Sequence, residues 1–371
     1  MANPLTVLTK TLGARFLERG DQIHGSLCAL VARQHVLLLG PPGTAKSLLA
    51  RSLCASIHGA TYFEWLLTKT STPEELFGPI SLKALEDDRY TRILLGKLPE
   101  AHIAFVDEIF KASSAILNTM LTLLNERVFH NNGKPVEVPL LTCFAASNEL
   151  PESEELGALY DRFLLRYTVD YLQEDGHFID LLKLQPVATK PVLKLADLQK
   201  AQADASKVAL SDDLLGKVLA IRKALRAEGI APSDRRFRDA LSLVRAAAYL
   251  DGKKSASEED LGVLKDVLWN QPPQRQIVAR TVIGVASPLE VKSLELYDQA
   301  AEISRNATAA PEDQKSAKGL EAVTKLKRIG KELEAIQDQV KANPSAWERV
   351  TSRKEQVASW HKDVARVCLG L

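Results

Sequence analysis

Apolar residues follow two different rhythms along this chain, and the change between them divides it. Between Val36 and Val169, continuous apolar runs at Val36 to Leu39, Ile103 to Val106, Leu140 to Ala146 and Leu164 to Val169 alternate with helical segments. Runs too short for a helix and apolar at nearly every position predict strands buried on both faces. Their alternation with helices predicts a parallel α/β sheet covered on both sides. Gln185 to Pro191, with two prolines and no helical stripe, reads as a linker, so a first domain spans 1–185. Beyond it Leu210 to Arg226, Arg236 to Leu250 and Asp260 to Trp269 have helical spacing, with Ser211, Ser233 and Ser257 as N-caps. That predicts an all-helical domain over 186–285.

From Pro288 onward the stripes narrow. Leu320, Val323, Leu326, Leu333, Ile336 and Val340 form one, and Val350, Val357, Trp360, Val364, Val367 and Leu371 form another at near-heptad spacing. Asn343-Pro344-Ser345 ends the first helix, and Ser345 with Glu348 offers a capping box for the second. The expectation for 286–371 is a helical hairpin, or a three-helix bundle with Leu289 to Ile303 as third member.

The first apolar run leads into Gly40-Pro41-Pro42-Gly43-Thr44-Ala45-Lys46-Ser47 and then the helical pattern beginning at Leu48. Strand, tight Gly/Pro loop and helix in that order are the context of a phosphate-binding loop, in which backbone N–H groups and the helix N-terminus converge on phosphate oxygens. The pattern assigns Lys46 to the β- and γ-phosphates of a nucleoside triphosphate and the Ser47 hydroxyl to Mg²⁺. Ala45 stands where the general pattern has its last glycine, so less backbone freedom is expected there.

The second run ends in Asp107-Glu108, which suits one carboxylate for Mg²⁺ and one to orient and deprotonate the attacking water. Asn148, closing the third run, falls at the carboxyl end of a strand, where ligands of open α/β sheets collect. Arg162, just ahead of the fourth run, is a candidate arginine finger, with Arg166 as the alternative. Leu17 and Ile23 are candidates for the base pocket.

The 371 residues suffice for two or three domains, and a formal net charge of +1 gives no argument for nucleic acid as the main partner, which is not expected. A modest basic cluster at Lys325, Lys327, Arg328 and Lys331 is interleaved with Glu321, Glu332 and Glu334, as on a solvated helix face. Four scattered cysteines, no apolar leader and no apolar run long enough to span a bilayer lead to the expectation of a soluble, cytoplasmic protein without direct membrane insertion.

With these elements in this order, the chain resembles the AAA+ ATPases over roughly Phe16 to Trp269, and within them the MoxR group, whose loop variant is similar to Gly-Pro-Pro-Gly-Thr-Ala-Lys-Ser. Asp161 to Arg166 resembles the group's finger segment. Ser233-Asp234-Arg235-Arg236-Phe237 resembles its sensor-2 segment, which makes Arg235 the γ-phosphate contact and Arg236 the alternative. Ser81 to Pro99, after the capped start Thr72-Pro73-Glu74-Glu75, looks like the helix-2 insert of the clade. The Arg127 to Pro139 hairpin, around Asn131-Asn132-Gly133, looks like the hairpin before sensor 1. The resemblance implies client contacts at Phe77, Tyr90, Phe129 and His130, a homohexameric ring, and remodelling of a client protein with a von Willebrand factor A domain partner. It is closest to the regulatory branch of the group, but that branch carries a small β-rich domain among its C-terminal helices, and nothing after Pro288 reads as strands. Two other readings of the same fold are a nucleic-acid motor or regulator, and a nucleotide-bound scaffold with little turnover.

Overall fold

The computed structural model describes residues 4–185, 189–341 and 344–369. Pro186 to Ala188 of the expected linker, Asn343 and Leu371 lie outside the described residues, as do the side chains of Ser345 and Glu348. Contacts divide the chain into two compact units, Met1–Ala279 and Arg280–Leu371, with the division inside the helix Arg275–Ala286.

The first unit is built on five parallel strands: β1 (Val36–Leu39), β2 (Tyr62–Leu66), β3 (Ile103–Asp107), β4 (Thr142–Ser147) and β5 (Leu165–Thr168), in the order β2-β3-β4-β1-β5. Every residue of β1 and β4 is buried, which is why the sequence runs apolar through them without alternation. The apolar runs announce four of the five strands. β2, Tyr-Phe-Glu-Trp-Leu, is hidden from the pattern because it lies at the sheet edge, where only Phe63 is buried and Glu64 reaches out to Arg51 at 2.8 Å. Register places Val36 beside Phe144 and Leu165, and Leu39 beside Ser147 and Thr168. All strand ends therefore share one edge and all strand starts the other.

The helical part of this unit comprises Leu195–Ala205, Asp212–Ala227 and Asp234–Leu250, the last packed on Gly20–Ala32. Ser211 and Ser233 accept the amides of Leu214 and Arg236 at 3.2 and 3.1 Å, so the caps act where the sequence puts them. Two details differ from expectation. Asp260 to Trp269 is not an α-helix: a 3₁₀ segment, Glu258–Asp266, opens on a Ser257–Asp260 capping box. Leu193–Lys194 pairs with Ile57–His58 as a short parallel ladder.

Around the sheet, Asn132 and Gly133 take positive φ of 53° and 70° and turn the hairpin Val128–Asn131/Lys134–Glu137, as Asn-Gly does in tight hairpins. The Asn131 side chain accepts the Arg92 amide at 2.8 Å and donates to the Arg92 carbonyl at 3.1 Å, and Asn132 accepts the Tyr90 amide at 3.1 Å. The two insertions are thereby stitched into one. Phe77 and Phe129 stack at 5.7 Å and are buried, so they bind the insertions together and are not surface contacts; Tyr90 and His130 are exposed. The Thr72 start is not a full capping box, since the Thr72 side chain accepts no helix amide; the Glu75 carboxylate also accepts the Trp65 indole N–H at 2.9 Å.

The second unit contains three long helices, Pro288–Thr308, Glu312–Gln339 and Pro344–Leu369. Leu326, Leu333, Ile336, Val350, Val357 and Val364 form its core with Leu296 and Ala300. Leu320 stands outside that stripe at 63% exposure. Small residues set the helix spacing: a Cβ on Gly319 would lie 2.5 Å from that of Cys368.

Candidate nucleotide site

The loop Gly40 to Ala45 leaves β1 between its neighbours β4 and β5. Gly40 donates its amide to the Ser147 carbonyl at 3.0 Å, and a Cβ on Gly40 would lie 2.0 Å from the Val169 carbonyl oxygen, so any larger residue would push the loop off the sheet. Pro41 and Pro42 stiffen the turn and Gly43 takes φ 79°. Ala45 carries φ 63° and ψ 25° as the N-cap of the helix Lys46–Ala55. The left-handed conformation that a glycine would adopt freely is thus kept by an alanine, at about 1–2 kcal/mol of strain. Thr44 is buried and its hydroxyl donates to the Pro41 carbonyl at 3.0 Å.

The Lys46 ammonium folds over the loop, donating to the Gly40 and Pro41 carbonyls at 2.8 and 2.7 Å. Partial burial lowers its pKa, while the carboxylates of Asp107 and Glu108 raise it, so the cation sits within the field of both. Ser47 follows at the first helical turn and Leu48 is half-exposed. Asp107 ends β3 and accepts the Glu108 amide at 3.0 Å. Glu108 itself is left-handed, at φ 54°, with Lys111 3.3 Å from its carboxylate. A non-glycine residue in that region is a costly way to aim a side chain, and it cannot be read from Asp-Glu as a sequence. Asn148 is exposed directly after β4, one residue beyond the carbonyl that anchors Gly40. Lys46, Ser47, Asp107, Glu108 and Asn148 therefore gather at the carboxyl edge of the sheet.

Against the loop lies a cavity of about 480 Å³ lined by Phe16, Leu17, Thr44, Tyr171, Phe178 and Leu181 among others. Leu17 lines this cavity. Ile23 is not part of the lining, being buried in its helix at 1% exposure. Tyr171, Phe178 and Leu181 were not legible because they come from a segment after the last strand that buries none of its residues in the helix Asp175–Lys183.

Arg162 lies elsewhere. It ends the helix Glu154–Arg162 and lines a second cleft, about 670 Å³, with Arg33, Arg127, Arg235, Arg236 and Arg238. Gln34 and His35 ahead of β1 and Leu164 ahead of β5 line it too, so it opens at the amino edge of the sheet. From the loop it is separated by at least the length of β1, about 13 Å. The Nε and Nη1 of Arg162 are buried with no hydrogen-bond partner among the described residues. Arg235 bonds Asn125 and Asp239 at 3.1 and 3.3 Å in the same cleft, so the structure brings it to Arg162 and not to the phosphate loop of its own chain. Arg166, the alternative finger, is committed internally: it donates to the Trp269 and Tyr160 carbonyls at 2.8 and 3.1 Å, and burial lowers its pKa to about 9.

In the basic cluster of the second unit, Lys325 and Arg328 pair with Glu321 and Glu332 one turn away. Among the described residues no group of three or more His, Cys, Asp or Glu side chains could hold a metal by itself, and no helix is long and apolar enough to cross a membrane.

Residues 3–202 match the family described as "MoxR domain in the MoxR-vWA-beta-propeller ternary systems", and residues 213–282 match an "AAA lid domain". Two uncharacterized proteins of Methanocaldococcus jannaschii are 41% and 40% identical, over 78% and 81% of this chain and 78% of each of theirs. The "Chaperone MoxR1" of Mycobacterium tuberculosis is 27% identical over 56% of this chain and 57% of its own. A crystal structure from Cytophaga hutchinsonii superposes with a TM-score of 0.62 at 16% identity, covering 76% of this chain and 93% of the other, and so shares the fold. On the match across its sheet domain and its lid, the chain belongs to the MoxR group of AAA+ ATPases.

Proposed function

We propose that this chain is a Mg²⁺-dependent ATPase that works as a homomeric ring, a hexamer, in which each nucleotide is hydrolysed between two copies and the work is spent on remodelling a client protein. The observation that carries this reading is the separation of Arg162 from Lys46. The phosphate loop and its carboxylates occupy one edge of the sheet, while the one guanidinium with unpaired buried nitrogens in the finger segment lies in the cleft at the other. A chain so arranged completes its site by facing a second copy head to tail, and a heterologous contact of that kind makes a ring where its rotation closes.

In this reading Lys46 exchanges the Gly40 and Pro41 carbonyls for phosphate oxygens, and the loop amides and helix N-terminus hold the remainder. The Ser47 hydroxyl and the Asp107 carboxylate are hard oxygen donors that suit Mg²⁺. The ion supplies charge neutralisation at the phosphates. Glu108 takes a proton from the attacking water, Asn148 orients that water by its amide, and the cavity at Phe16 and Tyr171 receives the base. Arg162 from the adjacent copy stabilises charge in the transition state, an effect of about 10³–10⁵ in rate, and Arg235 beside it reaches the same phosphates. Membership in a MoxR family named for ternary systems with von Willebrand factor A proteins supports such a protein as the partner, and the setting proposed with it is the cytoplasm.

The test is ATP turnover per subunit with Mg²⁺ over a wide range of protein concentration, with Arg162→Ala and Glu108→Gln alongside. Specific activity that rises with concentration and is lost in both variants supports the reading. Turnover independent of concentration and of Arg162 overturns it.

A further inference from the structure

The chain on either side of Arg162 is tied down by hydrogen bonds. Two buried guanidiniums, Arg166 and Arg236, grip the segment from Tyr160 to Leu164. Arg236 donates to the Phe163 carbonyl at 2.9 Å and also to that of Leu164 at 3.4 Å, and its Nε lies 3.6 Å from the Asp161 carboxylate. From the other side Arg166 donates to the carbonyls of Tyr160 and Phe163 at 3.1 and 3.2 Å and stacks 3.6 Å over the Tyr160 ring. The Tyr160 hydroxyl donates to the Asn270 carbonyl at 2.7 Å.

Two arginines on one half-exposed carboxylate is a poor device for stability alone, because burying guanidinium charge costs solvation that a packed apolar pair would not. What the arrangement does fix is geometry. Positions 160, 161, 163 and 164 are held, and the Arg162 side chain between them lines the cleft with its Nε and Nη1 unpaired among the described residues.

We propose that Arg236 is a positioning residue for hydrolysis: through the Phe163 and Leu164 carbonyls and Asp161, the lid helix Asp234–Leu250 sets where Arg162 is presented to the adjacent copy. The inference rests on the trans-finger reading above. Arg236, at 2% exposure, acts through the segment it grips. It acts on a finger that serves another subunit's site, so the lid of one copy governs turnover in its neighbour. A finger displaced by about 1 Å loses on the order of 100-fold in rate while ground-state binding at the untouched phosphate loop is kept.

The experiment compares full-length wild type, Arg236→Met, Arg236→Lys, Arg162→Ala and the Arg162→Ala/Arg236→Met double variant, measuring kcat, KM for ATP and the Kd of a non-hydrolysable ATP analogue. The expected result is a kcat lowered on the order of 100-fold in Arg236→Met with unchanged Kd, partial recovery in Arg236→Lys, and a double variant no slower than Arg162→Ala. If Arg236→Met does not fold, Arg236→Lys and its double variant with Arg162→Ala decide by the same non-additivity. Multiplicative losses, or a loss of analogue binding equal to the loss of turnover, would show that Arg236 only supports the fold and would overturn the proposal. Should Arg162→Ala itself retain full turnover, the trans-finger reading fails first. An Arg162→Ala loss beside an unaffected Arg236→Met sinks the positioning role alone.

Discussion

Asp266 offers a quantitative test of how the lid and the sheet are held together. It closes the 3₁₀ segment Glu258–Asp266 at 7% exposure, and burial raises its pKa from 3.8 to about 7, against the partial relief offered by Lys265 and Arg275. A carboxyl held above its unfolded value binds its proton more tightly in the folded chain. The contribution of Asp266 to stability is therefore most favourable below about pH 4, falls as pH rises from there to about 7, and is level beyond, at a cost approaching 4 kcal/mol. Asp266→Asn removes the titration and keeps the shape. Urea unfolding of both proteins between pH 4.5 and 8.5 should show a difference in favour of the variant of about 1 kcal/mol at the acid end, widening to about 4 kcal/mol above pH 7. A difference that is constant with pH, or that favours wild type at pH 8, refutes the reasoning, since it would mean that the Asp266 charge is compensated and not merely buried.

Three further outcomes follow from the geometry. Ala45→Gly relieves about 1–2 kcal/mol of left-handed strain against about 0.4–1 kcal/mol of added unfolded-chain entropy, so the melting temperature should rise by a few degrees at most, and a fall would contradict the φ of 63°. Lys46→Ala should abolish nucleotide binding in an equilibrium titration without lowering the melting temperature by more than a few degrees, because its partners are half-buried loop carbonyls that water can reach; retained binding would remove the loop from the account. Asn131→Ala breaks both bonds to Arg92 and should destabilise by about 1–3 kcal/mol, with faster amide exchange at residues 90–93; exchange confined to the hairpin alone would show the two insertions to be independent.

How far the sequence announces this molecule depends on whether a feature is set locally. β1 and β4 are legible because burial on both faces writes itself as an uninterrupted apolar run, and Ser211 and Ser233 because a cap is chosen by the four residues around it. β2 is not legible: an edge strand needs only one buried residue, and Glu64 is free to pair outward. In the same way the phosphate loop follows from its own eight residues, whereas the left-handed Glu108 and the cavity at Tyr171, Phe178 and Leu181 depend on tertiary neighbours. Arg235 is the most instructive case. Its segment was identifiable, yet its place beside Arg162, across the sheet from its own loop, is a property of how the lid packs. Phe77 and Phe129 likewise read as surface aromatics until their stacking is seen.

The central claim, that one copy finishes the site of another, is tested most directly by mixing two silent variants. Lys46→Ala cannot hold nucleotide but keeps Arg162, and Arg162→Ala keeps the loop but has no finger to give. Neither should turn over ATP alone, and their mixture should recover a substantial fraction of wild-type activity at interfaces where an intact loop meets an intact finger. A mixture as silent as its parts, under conditions in which the two variants are shown to co-assemble, would mean that each chain must supply both groups to its own site.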